Sequence, residues 1–212
     1  MTPPRLLTFD LFGTVVDWRA GLVHALGFPL DEAAFERVID SQAADEQSGF
    51  RPYADIVARS LTTVLDVAPS AARAIGEGAG EWPVFGDAPA AFARLLARAP
   101  CGATTNSDLA HRPAIERQLG CALAPWICAG EVGAYKPDVR IWEAASRATG
   151  TAFGPQWWHV SAYADYDLAT ARRLGLTTIL VRRPHHRPGT TDLVDRTFDD
   201  LAQLAFAVEQ EF

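Results

Sequence analysis

The sequence predicts an α/β fold: a doubly wound parallel sheet with a helical segment inserted after its first strand. Three observations predict it. Short apolar runs alternate with amphipathic helical runs over most of the chain, an all-helical stretch interrupts that alternation early, and polar residues gather directly after the apolar runs. In sheets of this kind ligands bind outside the carboxyl ends of the strands.

Taking the elements in order, RLLTF (5–9) is apolar, preceded by Pro and followed by Asp10 and Gly13, as suits a buried strand with a carboxylate at its end. From Trp18 to Trp82 the pattern turns helical. Apolar residues recur at three and four spacing in AGLVHALG, DEAAFERVIDSQAADEQ, YADIVARSLTTVLDV and SAARAIGEGAGEW, with Pro and Gly between them. Alternation then resumes. APAAFARLLARA reads as a helix, CGATTNSD as a strand and loop, and LAHRPAIERQLG as a helix that Asp108 is placed to cap. PWICAG reads as a strand and PDVRIWEAASRATG as a helix with Pro137 in its first turn. WWHVSAY is a strand, DLATARRLGL a helix ended by Gly175, TTILV a strand and FDDLAQLAFAVEQ a closing helix. Four or five strands result. The expected division is a Rossmann-like core of residues 1–17 and 84–212 and a helical cap of residues 18–83.

A chain of 212 residues supports one sizeable core and a modest lobe. Its 19 basic residues against 26 acidic ones give a net charge of −7 and form no basic patch, which disfavours a nucleic-acid or anionic-membrane partner. Three cysteines, Cys101, Cys121 and Cys128, without CxxC spacing or nearby histidine pairs argue against both a disulfide framework and a zinc site. The adjacent His185 and His186 in RRPHHRPG point apart in extended backbone and do not easily chelate one ion. No segment approaches the roughly 20 apolar residues of a membrane span. A cytoplasmic protein is the expectation.

Four strand ends carry polar groups: Asp10 to Thr14, Thr105-Asn106-Ser107, Lys136, and the Asp165/Asp167 pair. In this order and spacing, FDLFGTVVDW, TTNSD, AYKPD and HVSAYADYDLATARRLGL resemble the haloacid dehalogenase superfamily over essentially the whole core, and the helical insertion resembles its mobile cap. The resemblance implies that Asp10 is the nucleophile, that Thr105 and Asn106 bind and orient its target, that Lys136 is the cation, and that Asp167 is the acid of the fourth motif. The chemistry of the residues agrees. An ionised, aimed carboxylate forms a covalent ester that splits one difficult step into two, a lysine favours its charged form, and N–H and hydroxyl donors hold negative charge. Leu11, Phe12, Thr14 and Trp18 are the expected substrate contacts, Trp18 either walling an apolar pocket or stapling the cap hinge.

Phe12 narrows the reaction. Phosphatases of this superfamily carry a second Asp two residues after the nucleophile to protonate an alkoxide, and a magnesium ligand where this chain has Ala162. A halide leaves without a proton. The resemblance is therefore closest to the type II 2-haloacid dehalogenase branch and implies a hydrolase without metal or cofactor, acting on a small carboxylate, a 2-haloalkanoate or haloacetate. Asp10 displaces halide, and water assisted by Asp167 or Asp165 then hydrolyses the ester. The chain departs from that branch at Ala162 and Ala164, where a Ser and an Asn are expected, leaving Asp165, Tyr163 and His159 as candidate replacements. A halide-accepting cap arginine is expected, and spacing assigns it to neither Arg37 nor Arg51. The competing readings are a phosphatase with an altered acid and metal site and a non-catalytic binding module. Apolar outer faces on the cap helices suggest a homodimer.

Overall fold

The computed structural model describes residues 3–184 and 194–212. His185 and His186 lie outside the described residues. Six parallel strands form one sheet: β1 (Leu6–Phe9), β2 (Cys101–Thr105), β3 (Trp126–Cys128), β4 (Trp157–Ser161), β5 (Thr177–Val181) and β6 (Arg196–Phe198). Their spatial order is β3-β2-β1-β4-β5-β6, so the order reverses on either side of β1. That reversal opens a crevice at the carboxyl end of β1, where Asp10 follows Phe9. The doubly wound fold class holds, with a sixth strand that sequence reading did not expect. β6 has three residues and pairs only with β5, too short to show a period.

Side-chain alternation across β1 builds two cores. Leu7 and Phe9 pack on one face with Phe92 and Leu95 of α5 (Ala88–Leu96) and with Leu201, Leu204 and Val208 of α10 (Leu201–Glu211). Leu6 packs on the other with Ile141 and Trp142 of α8 (Arg140–Thr149) and Ala171 of α9 (Ala169–Arg173). Both faces are covered, which is why the strands read as continuous apolar runs. Helix α8 starts at Arg140, so Pro137 precedes it instead of occupying its first turn. The three cysteines are free thiols, and no helix among the described residues is long and apolar enough to cross a membrane.

Between β1 and β2 come α1 (Trp18–Leu26), α2 (Glu32–Gln47), α3 (Tyr53–Leu65) and α4 (Pro69–Glu77). Asp17 caps α1 through the Ala20 N–H and Asp31 caps α2 through the Ala34 N–H. Helix α3 begins after Pro52, which has no side-chain oxygen to offer. Asp108, in the loop after β2, supplies it from outside, its two oxygens accepting from the Tyr53 and Ala54 N–H groups at 3.0 Å each. Asp108 therefore caps α3, and makes no side-chain cap to the turn at 109–111 or to α6 (Arg112–Leu119), the helix it was expected to start. Asp108→Ala is expected to lower stability by about 1–2 kcal/mol, the usual value of an N-cap, measured by urea unfolding with the Asp17→Ala variant as the comparison.

Candidate active site

Asp10 sits one residue past β1 and is almost fully buried. The chain turns tightly behind it: the N–H groups of Thr14, Val15 and Val16 all donate to the Leu11 carbonyl, and Gly13 adopts φ +92°. A β-carbon built on Gly13 would stand 2.0 Å from the Tyr163 hydroxyl oxygen, so both backbone and space require glycine here. Gly13→Ala is expected to cost about 1–3 kcal/mol and to push Tyr163 off the loop, seen as a lowered melting temperature with an accompanying loss of turnover.

The turn brings Thr14 back onto the carboxylate. Its hydroxyl donates to Asp10 Oδ2 at 2.7 Å and accepts from the Ala162 N–H at 2.9 Å, which fixes its direction. Lys136 Nζ donates to Asp10 Oδ1 at 2.9 Å and to Asp167 Oδ2 at 2.7 Å. The other Asp167 oxygen meets His159 Nε2 at 2.8 Å, and His159 Nδ1 meets the Thr8 hydroxyl at 2.9 Å. Trp157 Nε1 donates to the same hydroxyl oxygen at 2.8 Å. An ionised Asp167 only accepts, so the imidazole carries a proton on Nε2. His159 is thus a polar partner of Asp167 and more than packing. Asp167 lies in a single π-helical turn, Ala164–Leu168, closed by the Leu168 N–H on the Tyr163 carbonyl. Asp165 in that turn is exposed.

Two carboxylates thus share one buried ammonium, and their environments push them apart. Burial opposes the charge on Asp167, but His159 and Lys136 outweigh it and hold the group far below the carboxylate range. For Asp10 burial dominates and the nearby Asp167 adds to it, so its pKa stands raised despite Lys136 and Thr14 pulling it down. Burial disfavours the Lys136 ammonium, yet the two aspartates raise it on balance. The two carboxylates are thereby set apart in acidity, Asp167 the stronger acid and Asp10 the weaker.

Above Asp10 opens a cavity of about 400 Å³ between the sheet and the helical insertion. Asp10, Phe12, Trp18, Asn106 and Lys136 line it, as the sequence led one to expect. Leu11, Thr14, Thr105 and Asp167 are fully buried behind its wall, and they reach a substrate only through their neighbours. The Thr105 hydroxyl is buried without a hydrogen-bond partner. Phe12 is gripped edge-on by Trp82 and His111, each with ring centroids 5.8 Å away, and packs against Tyr53. Neither Arg37 nor Arg51 lines the cavity; Arg51 is bound to Asp45 and Ser48.

Sequence reading named Tyr163, which also lines the cavity, but missed the other walls: Tyr53, Tyr135 and Tyr166, and Ile39, Gln42, Ala43 and Glu46 on one face of α2. A signal existed, for Gln42 and Glu46 continue at helical spacing the apolar stripe of Phe35, Val38 and Ile39, where polar residues call for a reason. Glu46 Oε2 accepts from Asn106 Nδ2 at 3.0 Å. Burial pushes its carboxyl up to about 8, with Asp10 adding and the Asn106 amide and Lys136 only partly offsetting. From its ordinary 4.5 to about 8 the unfolded chain ionises while the folded one stays protonated, so Glu46 costs stability as pH rises through that window. Glu46→Gln is neutral throughout, so its unfolding free energy in urea should gain on the wild type between pH 5 and pH 9, by on the order of 2–4 kcal/mol.

The residues do not fit a magnesium ion in the manner of this superfamily's phosphatases. The ammonium of Lys136 already occupies the space between Asp10 and Asp167, and Ala162 offers no side-chain oxygen.

No family model and no curated protein matches the chain by sequence. Solved structures do. One L-2-haloacid dehalogenase is similar at 24% identity and TM-score 0.80, covering 98% of this chain and 99% of its own. The L-2-haloacid dehalogenase from Xanthobacter autotrophicus is similar at 15% identity and TM-score 0.83, covering 97% and 98%. A HAD-hydrolase from Bacillus subtilis bound to magnesium is similar at 14% identity and TM-score 0.79, covering 98% and 100%. At these identities the likeness is one of fold, and function rests on the site.

Proposed function

We propose that this chain, which has the haloacid dehalogenase fold, is a hydrolase that opens a carbon–halogen bond without a metal ion, with residues 18–83 acting as its cap. The observation that carries the reading is Asp10 on the cavity wall, bound by Lys136 and Thr14, with the phenyl ring of Phe12 two residues on. That ring has no proton to give, so the leaving group must depart as a stable anion.

One oxygen of Asp10 attacks the carbon bearing the halogen. A carbon–oxygen bond forms, the carbon–halogen bond breaks, and halide leaves with the bonding pair. Water then adds to the Asp10 carboxyl carbon, and the oxyanion that forms there keeps the hydrogen bond from Lys136 Nζ, a donation worth about 3–4 kcal/mol in comparable sites. Collapse releases the alcohol and a proton and restores the carboxylate. Asp167, with both oxygens held by Lys136 and His159, acts here by fixing the ammonium; a carboxylate held so far below its usual range is a poor base for water.

Halide release from a panel of α-haloacids and their uncharged analogues in a chelator tests this, beside phosphate release from an aryl phosphate with magnesium. Metal-free halide release that disappears in Asp10→Asn supports the reading. Magnesium-dependent phosphate release overturns it.

A further inference from the structure

The resemblance points to a small halocarboxylate, but the charge and size of the cavity point elsewhere. An α-haloacid brings a carboxylate that needs a cation or free N–H donors once removed from water. Lys136 is the only basic residue among the described ones that line the cavity, and its ammonium is already committed to Asp10 and Asp167. The two carboxylates take up that ammonium between them, so it is not left over for a substrate carboxylate. The side-chain amide of Asn106, the donor expected to hold an anion, instead faces Glu46 and the Lys136 carbonyl, while its oxygen accepts from the Lys136 N–H. The cap thus presents a carboxyl group where an anionic substrate would need a cation. Asp138 at the rim adds another carboxylate, paired with Arg140 at 2.8 Å.

Size agrees. A cavity of about 400 Å³ equals the liquid volume of roughly a dozen waters, well beyond the six non-hydrogen atoms of 2-chloropropionate. Six of the sixteen residues that line it are aromatic, and the Tyr hydroxyls among them can donate to or accept from an uncharged polar group.

We propose that the site takes an uncharged organohalide bearing an aromatic or similarly large apolar group, and that Glu46, by occupying the Asn106 amide, is the residue that turns halocarboxylates away. This rests on the reading of Asp10 as the group that displaces halide, so the test separates the two. Binding is measured first with phenylacetamide and phenylacetate, which carry no leaving group, by ligand-detected NMR at pH 7. Turnover is measured with 2-chloro-2-phenylacetamide and 2-chloro-2-phenylacetate. The amide is expected to bind, and its kcat/KM to exceed the acid's by about tenfold or more, a factor worth 1.4 kcal/mol. Glu46→Ala, which leaves the Asn106 amide free to meet a substrate carboxylate, should narrow that ratio. If the amide binds selectively but neither chloride is released, the charge preference stands and the carbon–halogen reading of Asp10 alone falls. Equal or tighter binding of phenylacetate, no binding of either ligand at millimolar concentration, or an unchanged ratio in Glu46→Ala overturns the proposal.

Discussion

Replacing Asp10 with Asn is expected to lower turnover by about 10⁴-fold or more, the scale on which loss of a nucleophile is felt, while leaving the fold intact. An amide has no anionic oxygen to attack carbon. The site nevertheless tolerates it: the Asn oxygen takes the hydrogen bond from Lys136 Nζ, and its NH₂ turns toward Thr14, whose hydroxyl already accepts from the Ala162 N–H. The net charge of the cluster falls to zero, so the melting temperature should stay within a few degrees of the wild type. Mass spectrometry of a single turnover in H₂¹⁸O with excess wild-type enzyme adds a sharper readout. Water attacks the Asp10 carboxyl carbon in the proposed route, so the heavy oxygen should appear on the peptide containing Asp10 and not in the first-formed alcohol. Label in the alcohol alone would mean direct attack by water and would remove Asp10 as the nucleophile.

Lys136→Met is the second large effect, and here stability and activity fall together. The side chain is fully buried, and its ammonium separates two carboxylates that have no other cation between them. Removing one partner from a buried ion cluster typically costs about 3–5 kcal/mol. The sign with pH follows from the charges left behind. Without the ammonium, Asp10, already raised by burial, stands further above its unfolded pKa, so the penalty is small below the carboxylate range, where Asp10 is protonated in both states. It grows as pH rises. Urea midpoints at pH 4 and pH 8 should therefore diverge between wild type and variant. Adding Asp167→Asn should recover part of the loss at pH 8 by removing one of the stranded charges, and a variant as stable as the wild type at pH 8 would mean the cluster is not charged as drawn. Halide release should be lost in both variants, since nothing then holds the oxyanion on Asp10.

Most of the strand and helix order was legible in the chain because it rests on local periods of two and 3.6 and on Pro and Gly punctuation. RLLTF, CGATT, WWHVS and TTILV are strands, and all four helical runs of the insertion are helices. The failures share a cause. β6 is three residues long, and its pairing with β5, not its own pattern, makes it a strand. Asp108 looked like a cap for the helix that follows it, but the N-terminus in need of an oxygen belonged to α3, 55 residues earlier.

The sequence alone determined the α/β class, the helical insertion after β1, the strand-end placement of Asp10 and Asn106, and the missing proton donor at Phe12; Lys136, expected at a strand end, instead follows a short helix, Ala129–Val132, after β3. These are properties of single residues and their near neighbours. Only the tertiary structure decided that Lys136 bridges Asp10 and Asp167, that Asn106 is occupied by Glu46 from 60 residues away, and that no arginine among the described residues faces the cavity. Charge balance in a buried site is a sum over groups brought together by packing, and spacing along a chain does not reveal which groups enter that sum.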